Sequence, residues 1–229
     1  MASVPSPVEA LLGDLKTIFG PRLESLVMYG AHATDPSRAA DAPIECLAIV
    51  QTLTFDDLRA AAAMRGRWNK QQLATPLFLT HDEFARSLDV FPFEYCEIID
   101  RHVAVLGDPF SGLDVTPDDR RRACEVQAKS HLLHLREGFI ECGGRAEDVA
   151  QLITRSAAPL AALLRHIERL SGATPVTEAK ASAHESHAIR RVLALATSGT
   201  LPATDAIALY PDYLRSIEAL AHAMDRWGR

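Results

Sequence analysis

"YGAHATDPSRAADAPIECLAIV", Tyr29 to Val50, is the stretch on which the fold turns. Just before it, "LESLVMYG" reads as a short apolar strand ending on Gly30, and a polar loop follows. "IECLAIV" then reads as a second strand. It is apolar almost without interruption, the pattern of a central strand covered on both faces. A strand ending in glycine, a polar loop and a second strand often frame a metal-dependent site.

Working outward, Val8, Leu11, Leu12, Leu15, Ile18 and Phe19 recur at helical spacing, and Gly20-Pro21 stops that helix. Downstream, "TFDDLRAAAAMRGRWNKQQL" reads as a helix capped by Thr54, with Asp56 and Asp57 in the first turn where the helix dipole favours acids. "TPLFLT" is a third strand and "HDEFARSLDV" a short helix stopped before Pro92. "FEYCEII" and "HVAVLG" are expected as two further strands, and Gly107-Asp108-Pro109 as a turn.

After about Leu113 no strand pattern remains. Thr116 caps a helix with Pro117 at its first position and a Gly-Gly stop. The next helix carries an apolar stripe from Val149 to Leu170, with Pro159 inside it and a kink expected there. A third helix is expected to start near Glu178, and a last one to break near Pro211. The fold class is α+β: a mixed sheet with flanking helices over residues 1–113, then an all-helical bundle over 114–229.

Nearly half of the 229 residues are apolar (48%) and 24% are charged, ordinary globular composition. The net charge of −6 opposes non-specific nucleic-acid binding, which needs a basic footprint. Cys46, Cys96, Cys124 and Cys142 form no CxxC pair and read as buried free thiols, which suits a reducing cytoplasm. The N-terminus shows no signal-peptide pattern, and no apolar run is long enough for a membrane span.

The Tyr29–Val50 frame resembles the nucleotidyltransferase superfamily of DNA polymerase β, including kanamycin-type and small bacterial members with a helical C-terminal domain. "RHVAVLGDPF" is similar to a strand of that family ending in Leu-Tyr-Gly. The resemblance implies a mixed sheet followed by a bundle, a nucleoside triphosphate as ligand, and Mg²⁺ as cofactor in any active member. The motifs are Gly-Ser at the end of one strand, Asp-x-Asp at the start of the next, and a third carboxylate from a neighbouring strand. Two ions about 3.5–4 Å apart activate the attacking oxygen and steady the leaving pyrophosphate. Two Asp at i and i+2, about 6.6 Å apart on one strand face, can hold both. The serine and nearby backbone N–H groups hold phosphate oxygens.

Carried onto this chain, Gly30 matches the glycine and Ala31 stands at the serine position. Pro43 stands at the first Asp and Glu45 at the second, so the first metal ligand is absent. Asp41 is four residues from Glu45, about 13 Å along an extended strand, too far to share an ion pair unless the loop folds back. Glu94 and Glu97 are candidates for the third carboxylate. On a strand they lie on opposite faces, so one at most faces the site, and Glu94 is the choice.

These departures imply a non-catalytic member that binds nucleotide weakly or serves as an interaction module. The alternatives are an active transferase using Glu45 with Glu94 or Glu97 on a small-molecule or protein acceptor, and a bundle whose 149–170 stripe packs on a protein partner or second copy. Elsewhere, His131 and His134 read as solvated helix residues, "HESH" at 184–187 misses zincin spacing, and "DDRRR" at 118–122 reads as a charged helix face. Arg65, Arg67, Trp68 and Lys70 cluster at a helix end, where they suit phosphate, a base or the helix dipole alone.

Overall fold

Alternation along the two central strands decides the layering of the first half. The computed structural model describes residues 4–34, 42–170 and 174–227. The chain divides into two compact units, Met1–Val115 and Thr116–Arg229. In the first unit the order is α1 (Ser6–Phe19), β1 (Leu23–Tyr29), a single turn α2 (Ala31–Thr34), β2 (Glu45–Val50), α3 (Phe55–Lys70), β3 (Leu77–Leu79), α4 (His81–Arg86), α5 (Pro92–Asp100) and β4 (Val103–Leu106). The strands form one mixed sheet in the order β3-β2-β1-β4. β1 pairs antiparallel with both β2 and β4, and β2 pairs parallel with β3.

Leu26 and Met28 of β1, with Cys46, Ala48 and Val50 of β2, share a buried cluster with Val8, Leu11, Leu15 and Phe19 of α1 and Trp68 of α3. Val27, Leu47 and Ile49 turn to the other face, against Phe84, Tyr95, Ile98 and Phe110. Both faces of the central strands are therefore covered, as their apolar run predicts. Each such Leu, Ile, Val or Phe contributes about 1.5–3 kcal/mol by leaving water.

Local chemistry fixes α3 at both ends. The Asp57 N–H donates to Thr54 Oγ1 at 3.2 Å, and the Thr54 N–H donates to Asp57 Oδ2 at 2.9 Å, a capping box. Arg22 also donates to both oxygens of Asp57, at 2.8 and 2.7 Å. The Arg22 guanidinium and then Thr54 hold this carboxyl well below the usual range. At the far end, Trp68 Nε1 donates to Asp14 Oδ2 at 3.0 Å and Arg67 donates to Asp14 Oδ1 at 2.7 Å. Half of the Arg65–Lys70 cluster thus docks α1 onto α3.

"FEYCEII" is not a strand. It lies in α5, which opens with Pro92 in its first turn and buries Tyr95, Cys96 and Ile98. Pro92 supplies the fixed φ that suits a first helical turn, and Glu94 favours the same end.

The second unit is α6 (Pro117–Glu141), α7 (Ala146–Arg169), α8 (Thr174–Glu185), α9 (His187–Ser198) and α10 (Ala203–Trp227). Thr116 caps α6, accepting from the Asp119 N–H at 3.2 Å. α10 is one helix running through Pro211, not two pieces. The helical run after Thr174 is broken at Ser186, whose side chain caps α9 by accepting from the Ile189 N–H at 3.2 Å. "HESH" therefore spans a helix boundary.

In the α7 stripe, Val149, Ile153, Leu160, Leu163, Leu164, Ile167 and Leu170 are buried within the unit. These stripe residues pack into the bundle's own core. His131 is likewise buried, not solvated. Its Nε2 hydrogen-bonds with the Tyr213 hydroxyl at 2.6 Å, and that hydroxyl also meets Ser156 Oγ at 2.9 Å. Burial, with a smaller effect from His134, pushes the His131 imidazole down to about 4.

Candidate functional site

Tyr29 and Glu45 are register partners at the open end of the β1–β2 ladder. Strand alternation puts Glu45 on the face of Leu47 and Ile49, the face covered by α5. Glu94 and Glu97 are three apart on α5 and share one helix face. The outcome differs from the strand expectation: Glu45, Glu94 and Glu97 all line one cavity of ≈ 520 Å³. Tyr29, Gly30, Thr34, Phe91, Tyr95 and Ile98 line it too. Asp41 lies outside the described residues.

Gly30 is required for two reasons. Its φ of +71° belongs to the left-handed region. A Cβ built on it would also lie 2.0 Å from Glu45 Oε2. The Glu45 carboxylate therefore rests directly on the Gly30 backbone. Burial raises the Glu45 pKa, and His32 opposes that shift electrostatically. Burial pushes the Tyr29 phenol up to about 12, with Glu45, Cys46 and Tyr95 adding to it. Cys46, pushed up to about 12 by burial and then Glu45, carries no thiolate nucleophile near neutral pH.

The electrostatics of the cavity are one-sided. Its described lining holds three glutamates and no Lys or Arg. Yet no group of three or more His, Cys, Asp or Glu among the described residues has the geometry to hold a metal ion. Pro43 offers no donor at the first motif position, and Ala31 offers no hydroxyl. Among the described residues, the side chains at the motif positions do not fit a two-metal pair.

Of the residues singled out from sequence, Gly30, Glu45, Glu94 and Glu97 line this cavity and Ala31 is not among its lining; Tyr29, Thr34, Phe91 and Tyr95 line it without having been singled out. The aromatic residues were legible only as core. Their place beside the glutamates follows from α5 being a helix, for which Pro92 was the available signal.

No family model matches the sequence, and no curated protein matches it. Among solved structures the fold is similar to that of the spectinomycin adenyltransferase AAD(9) from Enterococcus faecialis, determined with ATP and spectinomycin. The TM-score is 0.52 at 10% identity, over 96% of this chain and 98% of that one. The fold is nucleotidyltransferase-like, a mixed sheet with flanking helices together with a helical part. No helix among the described residues is long and apolar enough to cross a membrane.

Proposed function

We propose that this chain is a non-catalytic nucleotidyltransferase-fold protein that binds nucleotide weakly, and only when cations accompany the phosphates. The observation that carries this reading is the Glu45 carboxylate lying on Gly30. In the resembled family that backbone surface borders the phosphate site. Here it carries an anion, with Glu94 and Glu97 on the same cavity wall. A bare triphosphate meets like charge at every acidic wall, and Ala31 contributes no hydrogen bond to offset it. Calorimetric titration with ATP, with and without Mg²⁺, tests the reading. Weak heats that require Mg²⁺, with no turnover, are expected. Tight binding accompanied by pyrophosphate release overturns it.

A second reading, favoured by Glu94 and Glu97 lining the same cavity as Glu45, is an active transferase on a small-molecule or protein acceptor. It requires that Glu45→Ala abolish a measured transfer, while Glu94→Ala and Glu97→Ala identify which α5 carboxylate takes part. Retained transfer in Glu45→Ala excludes it.

A further inference from the structure

α6 buries one side and leaves the opposite side bare. Cys124, Ala128, His131 and Leu135 face the unit's own core. On the other side stand Val126, Leu133 and Ile140, exposed at 64%, 54% and 77%. They are spaced by seven residues, two helical turns, so they form one row along the helix, drifting about 20° per repeat from a straight line. Lys129 and Arg136, three residues on, flank the row on one side. Ser130 and Glu137, four residues on, flank it on the other.

We propose that this row is the seam of a homodimer in which α6 of a second copy lies parallel and in register. Charge selects the occupant and its direction. Around a two-fold axis along the helices, Val126, Leu133 and Ile140 each meet their own counterparts. Glu137 then faces Arg136 of the other copy, one residue or about 1.5 Å away in height. Around a two-fold axis perpendicular to the helices at Leu133, the Lys129–Arg136 flank meets itself, cation against cation. Arg136 donates to Glu218 of its own chain at 2.6 Å. Glu137 makes no ion pair among the described residues and brings a second carboxylate to the partner's Arg136. Such exposed pairs add little affinity but fix register and direction. With a narrow row against the cost of association, the dimer is a weak one.

Oxidative cross-linking of the full chain tests this. All four native cysteines are buried, so the unsubstituted chain is the blank. Leu133→Cys is expected to form a covalent dimer with copper phenanthroline, and Val126→Cys to do so by itself. Sedimentation of the unsubstituted chain over a concentration series is expected to show reversible dimerisation. Leu133→Asp, on an exposed face with circular dichroism unchanged, is expected to weaken it at least about tenfold. A monomer at all concentrations overturns the proposal. So does a dimer insensitive to Leu133→Asp, whose seam lies elsewhere. Cross-linking only between Val126→Cys and Ile140→Cys chains overturns the parallel arrangement.

Discussion

Gly30→Ala measures how firmly Glu45 is seated. The substitution places a methyl group 2.0 Å from Glu45 Oε2 and 3.1 Å from its Cδ, at a φ of +71°. A non-glycine residue in the left-handed region costs about 1–2 kcal/mol. Driving the Glu45 side chain from its rotamer adds about 0.5–1.5 kcal/mol. The sum is about 1.5–3.5 kcal/mol in the native background. In a Glu45→Ala background only the backbone part remains, so the double-mutant coupling is about 0.5–1.5 kcal/mol. Urea unfolding followed by fluorescence reads it directly. Trp68 is buried in the α/β unit, and Trp227 in α10 is replaced by Phe to leave a single reporter. A coupling within error of zero, with unchanged denaturant slope, refutes the contact between Glu45 and Gly30.

Three further outcomes are expected. Pro43→Asp places a carboxylate two residues before Glu45, just ahead of β2, and should raise Mg²⁺ affinity at least about tenfold by calorimetry, an effect that an already competent site would not show. Burial raises the Glu45 pKa, so the folded state holds its proton above the ordinary value near 4.5. Stability is lost as pH rises above that value, and Glu45→Gln should gain on the unsubstituted protein as it does so, with parallel curves counting against it. For His131 the sign is opposite. Held down to about 4 from 6.5, it leaves the unfolded chain binding the extra proton as pH falls between those values, with up to about 3 kcal/mol lost. His131→Gln should flatten that acid limb, and an unchanged limb contradicts the assignment.

Much of the α/β unit was legible because its signals are local. The Thr54–Asp57 capping box, the apolar run Cys46–Val50 and the glycine at the end of β1 each declare themselves within a few residues. α5 was misread because Tyr95, Ile98 and Ile99 carry strand propensity, which outweighed Pro92 as a helix start. That error separated Glu94 from Glu97, although a helix places both on one face. Other misses are non-local by nature. The partner of His131 is Tyr213, and that of Trp68 is Asp14, each more than fifty positions away. No window of sequence contains both members. The seating of Glu45 on Gly30 is likewise a product of the β1–β2 register, which pairs Tyr29 with Glu45, sixteen positions apart in the sequence.

We propose that the nucleotidyltransferase-like fold is present here without a two-metal centre. Mn²⁺ titration followed by electron paramagnetic resonance, in the presence of a non-hydrolysable ATP analogue, reads this most directly, because ions about 3.5–4 Å apart broaden each other's spectra. At most one weakly held ion is expected, brought with the nucleotide and giving an uncoupled spectrum. A spin-coupled pair of ions bound together with the analogue, and lost in Glu45→Ala, would contradict it.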